Sequence, residues 1–220
     1  MATITTNGAV WTLNLGDDEN RFTPAFLDEV ESGLDKLEAS DEPAVLVTIG
    51  TGKFFSNGLD LQSLGLQFEG RGSYVERVQA LFARFLTLPV PTVAAVNGHA
   101  FGAGAMLAMS HDFRVMRDDR GFLCFPEVDI KIPFTTGMSA LITARLTPQA
   151  AVTAMTTGRR YGGVDAARDG LVDATASADE LHSAAAEIVR PLAGKDRGTL
   201  DAIKNTLFAP AVDALRAPIG

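Results

Sequence analysis

The chain carries a single cysteine, Cys124, together with one tryptophan, two tyrosines and three histidines in 220 residues. One thiol cannot close an internal disulfide or build a thiolate cluster for zinc or iron–sulfur, so a reducing compartment is expected. His99, His111 and His182 share no ligand spacing, and no metal site is expected. Basic residues are also scarce: 19 Lys and Arg stand against 27 Asp and Glu, for a net charge of −8. Without a basic stripe the chain lacks what phosphate-backbone binding needs, which excludes a nucleic-acid partner. An anionic small molecule stays open only if Arg21, Lys53 or Lys131 gather locally. No apolar run approaches membrane-spanning length, and residues 1–8 lack a basic stretch followed by an apolar one. The terminal Ala217-Pro218-Ile219-Gly220 is not a Ser-Lys-Leu type address, which leaves the cytoplasm as the expected compartment. With 46% hydrophobic and 21% charged residues, the composition is that of one globular domain with a sizeable core.

What is present is a pair of turns. Phe55-Ser56-Asn57-Gly58-Leu59-Asp60-Leu61 and Asn97-Gly98-His99-Ala100-Phe101-Gly102-Ala103-Gly104 each interrupt an apolar run with small residues. The second lies between a strand-like run, 91–96, and a helix-like one, 105–110. Two such turns can aim two N–H groups at one oxygen, the geometry of an oxyanion hole. Around them, residues 2–15 alternate β-branched and polar side chains about Asn7-Gly8 and predict a hairpin. Thr23 caps a helix with Pro24 at its first position, and Phe26, Leu27, Val30, Leu34 and Leu37 form its apolar face. Residues 44–49 and 92–96 read as buried strands, 74–88 as a helix ending before Pro89 and Pro91, and 113–117 and 122–125 as strands flanking the turn Asp118-Asp119-Arg120-Gly121. After Pro133 the chain turns helical: Thr147-Pro148 opens one helix, 164–169 is a short one closed by Gly170, and 178–192 is Ala-rich and amphipathic. The expected class is α/β, with a βαβ sheet stacked against helices and no internal repeat or linker.

The residues of both turns, with Pro91-Thr92-Val93-Ala94-Ala95-Val96 before the second, Phe125-Pro126-Glu127-Val128-Asp129-Ile130 and 158–173, resemble the crotonase, or enoyl-CoA hydratase/isomerase, superfamily along nearly the whole chain. Met109-Ser110-His111-Asp112, Met116-Arg117 and Asp119-Arg120-Gly121-Phe122-Leu123 are most similar to the Δ3,Δ2-enoyl-CoA isomerases of plant peroxisomal type. The resemblance implies a spiral of ββα units over 1–175, a helical region over 176–220 within the same functional unit, and a homotrimer or dimer of trimers. It implies an acyl-CoA substrate whose thioester oxygen accepts from the backbone N–H groups of Leu59 and Ala103. Ser56, Asn57, Gly58, Asp60, Leu61, Gly102 and Met106 are then the expected substrate contacts. Family members usually carry glycine where Ala103 stands; alanine is tolerated there unless the turn demands positive φ.

Superfamily hydratases hold and activate water between two glutamates, one just after the glycine turn and one in the Pro-Glu segment. Met106 occupies the first position and can neither transfer a proton nor orient a water, so hydration is disfavoured. Glu127 remains. Its apolar flanks, Phe122, Leu123, Phe125, Val128 and Ile130, would raise its pKa and make it a stronger base once ionised. One base facing one oxyanion hole suits a proton shuttle from C2 to C4 of a 3-enoyl-CoA, with no metal or redox cofactor and coenzyme A present only as part of the substrate. Dienoyl-CoA isomerases need acids where Met106 and Thr135 stand, which disfavours that reaction.

Competing assignments stay open at this point. Glu127 after Pro126 also suits a helix start, where carboxylates are favourable. Asp129 is a rival base, and Asp60 suits a structural acceptor of N–H bonds. Ser110-His111-Asp112 reads as packing and capping and Cys124 as a buried structural thiol. The tunnel for the acyl tail is expected among Leu64, Leu66, Phe68, Phe82 and Phe134, beneath a flap over 62–73. A hydratase of low activity and a non-catalytic acyl-CoA-binding paralogue are the alternative functions.

Overall fold

A computed structural model of the chain describes residues 1–68 and 72–219. It opens with the expected hairpin, β1 (Thr3–Asn7) and β2 (Val10–Asn14), whose tight turn places Gly8 at φ 57°. Helix α1 (Pro24–Glu38) follows, capped by Thr23, whose hydroxyl accepts the Phe26 N–H. Three units then repeat one plan. Strand β3 (Val45–Ile49) is followed by the short β4 (Phe54–Ser56), a 3-10 turn (Leu61–Ser63), the two-residue strands β5 (Gln67–Phe68) and β6 (Gly72–Ser73), and helix α2 (Tyr74–Thr87). Strand β7 (Thr92–Val96) is followed by the short β8 (His99–Phe101) and helix α3 (Ala103–Met109). Strand β9 (Phe113–Arg117) is followed by the short β10 (Leu123–Cys124) and helices α4 (Glu127–Ile130), α5 (Thr136–Arg145), α6 (Pro148–Thr157) and α7 (Gly163–Arg168). The chain closes with β11 (Ala174–Ala176), α8 (Leu181–Val189), a 3-10 turn (Arg190–Leu192), α9 (Arg197–Leu207) and α10 (Ala209–Arg216).

The long strands form one sheet in the order β1-β2-β3-β7-β9-β11, parallel throughout except at the opening hairpin. The short strands form a second, parallel sheet in the order β10-β8-β4. Each unit thus lays one strand in the large sheet, one in the small sheet and a helix against them, which is the ββα spiral of a crotonase fold. Residues 113–117 and 122–125, which read as neighbours across a turn, belong to different sheets, and the second strand keeps only two residues.

Both faces of the large sheet are covered, which explains its unbroken apolar strands. Leu46, Ala94 and Val96 point to the main core with Leu27, Leu34, Phe82 and Phe85, while Val45, Val47, Val93, Ala95 and Val115 meet Leu181, Ala185 and Val189 of α8. Helix α8 therefore closes the second face, while α10 joins the main core and packs on α5 and α2 through Ala211, Val212 and Leu215. No helix of the described residues is long and apolar enough to cross a membrane.

Candidate active site

Because the small sheet is parallel, the chain leaves its three strands at the same edge. Strand β8 is central: it feeds Gly102-Ala103, with the β4 exit carrying Leu59 on one side and the β10 exit carrying Glu127 on the other. The topology alone thus gathers three segments that are far apart in sequence.

The β4 turn is braced from two directions. The Phe22 N–H donates to the Gly58 carbonyl at 2.9 Å, and the Asn57 N–H to that of Glu19 at 2.8 Å. The buried Tyr74 hydroxyl accepts the Asp60 N–H at 2.9 Å and donates to the Phe22 carbonyl at 2.8 Å, and burial pushes this phenol up to about 12. Arg21 Nη1 donates to the Leu59 carbonyl at 3.2 Å. Asn20, held at φ 49°, donates through Nδ2 to the carbonyls of Gly16, Phe54 and Phe55. Gly58 itself sits at φ 78°, and a Cβ there would lie 3.0 Å from the Ala103 nitrogen, so the two turns are in close contact.

Gly102 is the residue the second turn forces, at φ 51° and ψ −119°, a conformation that L side chains rarely adopt. The strain falls on glycine and not on Ala103, so an alanine at 103 carries no penalty. Ala103 opens α3, where an N–H has no helical partner. Among the described residues, no oxygen accepts from the N–H of Leu59 or from that of Ala103.

Glu127 begins α4 and is 8% exposed. A Cβ on Gly102 would stand 3.3 Å from its Oε1, which puts the carboxylate beside the second turn, one residue from the Ala103 amide. Oε2 is buried with no hydrogen-bond partner among the described residues. Burial raises Glu127 to about 7, its own backbone N–H pulling back only in part. Glu127 is thus both the first residue of α4 and the carboxylate beside the second turn.

A cavity of about 330 Å³ joins these groups. It is lined by Asn57, Leu59, Leu61, Gly102, Ala103, Met106 and Glu127 of the expected set, and by Arg21, Phe101, Pro126, Ile130, Ile132, Pro133, Met138 and Arg160 beyond it. Glu127 is the one acid among these. Ser56, Gly58 and Asp60, expected at the substrate, shape the turn instead. The Ser56 hydroxyl donates to the Asn20 carbonyl and accepts the Gly58 N–H, while Asp60 accepts from the Gln62 N–H and the Ser63 hydroxyl. Of the expected tunnel residues, Leu64 and Leu66 are exposed and Phe82 is in the core against Phe22, while Phe134 borders a neighbouring recess that shares Glu127 with the cavity. The Phe68 side chain and part of the expected flap lie outside the described residues.

The rival groups are engaged otherwise. Asp129 is exposed, and its carboxylate abuts the backbone of Gly158. Ser110 Oγ donates to the Met106 carbonyl, and His111 bonds to the Leu107 carbonyl and Thr48 hydroxyl, burial lowering it to about 3. Asp112 accepts from Thr92 and the buried Lys204. Burial pushes the Cys124 thiol up to about 11, and its Sγ donates to the Gly158 carbonyl. Arg21, Lys53 and Lys131 do not gather at one point: Arg21 lines the cavity, Lys53 lies over the Phe54 ring and Lys131 borders the recess. Among the described residues no cluster of three or more His, Cys, Asp and Glu is placed to hold a metal ion.

The raised Glu127 has a consequence for stability. An acid whose folded value stands near 7, against an ordinary 4.5, contributes stability that is complete below the lower value and lost as pH climbs through the higher. Above neutrality the ionised, unpartnered carboxylate costs on the order of 3 kcal/mol. Glu127→Gln should therefore melt roughly 6–12 °C higher than the parent at pH 8, the difference shrinking toward pH 5. Calorimetry across that range measures it, and equal melting curves at both pH values contradict the burial cost.

A spiral of ββα units with one large, mainly parallel sheet and one small parallel sheet is the architecture of crotonase-type enzymes. The chain belongs to the enoyl-CoA hydratase/isomerase family, whose model matches residues 5–219. It is 38% identical over 206 residues to enoyl-CoA delta isomerase 3 of Arabidopsis thaliana, covering 89% of this chain and 86% of that protein. The peroxisomal enoyl-CoA delta isomerase 2 of the same plant is 38% identical over 185 residues, covering 80% and 77%. Among solved structures, the apo enoyl-CoA isomerase of Mycobacterium tuberculosis superposes with a TM-score of 0.88 at 27% identity, covering 98% of this chain and 94% of that one.

Proposed function

We propose that this enzyme converts 3-enoyl-CoA to trans-2-enoyl-CoA in fatty acid degradation. The thioester oxygen accepts from the Leu59 and Ala103 amides, Glu127 removes a C2 proton, and the negative charge spreads over a dienolate held by the amide pair. The carboxylic acid so formed returns the proton at C4, which moves the double bond from C3–C4 to C2–C3. Nothing is oxidised and no proton is lost. The thioester supplies the acidity and the backbone the electrostatic stabilisation, so the reaction asks for no metal or redox group. A pKa near 7 suits a group that must take and then give one proton at neutral pH.

The observation that carries this reading is that, among the described residues, Glu127 is the one acid on the cavity wall, with Met106 where a second carboxylate would be needed to activate water. The delta-isomerase names of the plant relatives agree with it. Homotrimers or dimers of trimers are the expected assembly, to be read by sedimentation, and the cytoplasm the expected compartment. Incubation with 3-hexenoyl-CoA, following the conjugated thioester, tests the reaction. Conversion supports isomerisation. Formation of 3-hydroxyacyl-CoA from 2-enoyl-CoA without isomerisation replaces it with hydration, and binding without turnover replaces it with a non-catalytic role.

A further inference from the structure

Glu127 borders two spaces. Besides the cavity of the amide pair, it forms part of the wall of a recess of about 490 Å³, and the two share Glu127, Ile132 and Pro133. The recess is walled by Val128, Phe134 and Met155, with Ser139 and Thr156 on α5 and α6 at its edge. The lip between the spaces is held in place. Lys131 takes a left-handed φ of 60° to close α4, which returns the Ile132 N–H to the Glu127 carbonyl at 3.1 Å, and Pro133 then limits the backbone.

A bound acyl thioester has a fixed order along this path. Its carbonyl is at the amide pair, C2 to C4 are at Glu127, and the carbons after C4 must continue past that carboxylate. The first cavity, about 330 Å³, is near the small end of the range for ligand sites and must also admit part of the pantetheine arm. Across the lip, Val128 and Ile132 stand 50% and 39% exposed, apolar surface that a hydrocarbon tail would cover.

The geometry points to the recess as the seat of the distal acyl chain, which makes long-chain acyl-CoA, dodecanoyl in preference to hexanoyl, the ligand class of this site. The inference rests on the isomerase reading for the direction of the chain, but its test does not require turnover. Titration calorimetry with saturated hexanoyl-CoA and dodecanoyl-CoA reads the recess directly. The parent should bind dodecanoyl-CoA at least about tenfold more tightly, since several additional methylenes leave water. Ser139→Trp and Thr156→Trp, which fill the recess from two helices, should each narrow that preference about tenfold. Equal affinities in the parent, or a preference that survives both substitutions, overturn the assignment. If 3-hexenoyl-CoA and 3-dodecenoyl-CoA are both left unconverted while the binding preference stands, it is the isomerase reading that has failed and not the recess.

Discussion

Glu127→Gln should lower the isomerisation rate by about a thousandfold or more while leaving acyl-CoA affinity within a few-fold of the parent. Gln keeps the size and the helix-start position but cannot take a proton at C2, and a positioned general base is worth roughly 10²–10⁴-fold. Among the described residues no other acid lines the cavity to replace it. The parent's kcat/KM should rise about tenfold per pH unit toward neutrality and level off above about 7, because only the ionised carboxylate is a base. Steady-state rates and calorimetric affinities for both proteins settle the matter. A variant with the parental rate, or one that has lost binding and rate together, contradicts a role confined to proton transfer.

Gly58→Ala should cost about 10²–10³ in kcat, the range seen when an oxyanion donor is removed. The new Cβ would lie 2.7 Å from the Phe101 carbonyl and 3.0 Å from the Ala103 nitrogen, so the turn carrying Leu59 must move away from the turn carrying Ala103. The positive φ adds a folding penalty of about 1–3 kcal/mol. Gly8→Ala is the control. Gly8 has a similar φ of +57°, and a Cβ there meets nothing within 4 Å, so it should lose stability without losing kcat. Rates measured at saturating substrate, well below both melting temperatures, separate the two effects. Equal kcat values for the parent and Gly58→Ala would mean that the two amides do not act together.

How much of this was legible in the sequence depends on the range of the cause. Local causes are legible. Asn7-Gly8 gave the hairpin, Thr23-Pro24 the start of α1 and the prolines after Leu88 the end of α2, because each is decided within a few residues. The two glycine turns were legible for the same reason, since a backbone position needing positive φ announces itself by residue type. What periodicity could not say is which sheet a strand joins: β9 and β10 look like neighbours, but their partners are β7 and β8. Nor does an apolar pattern separate a side chain in the core from one lining a cavity, so Phe82, which is core, and Phe101, Ile132 and Met138, which line the cavity, look alike in the sequence. The Tyr74 hydroxyl that pins the β4 turn carries no local signal, because its partners Phe22 and Asp60 lie 52 and 14 residues away.

In the proposed reaction a lone carboxylate serves both C2 and C4 of one substrate gripped by two backbone amides. At 8% exposed, Glu127 would shield a captured proton from water between the two steps. Incubating the enzyme with 3-hexenoyl-CoA deuterated at C2 and locating the label in the product tests this most directly. A share of the deuterium should arrive at C4 in the parent, and the transfer should vanish in Glu127→Gln. Hydrogen drawn wholly from solvent at C4 in the parent, or label still carried across in Glu127→Gln, would contradict the single-carboxylate shuttle.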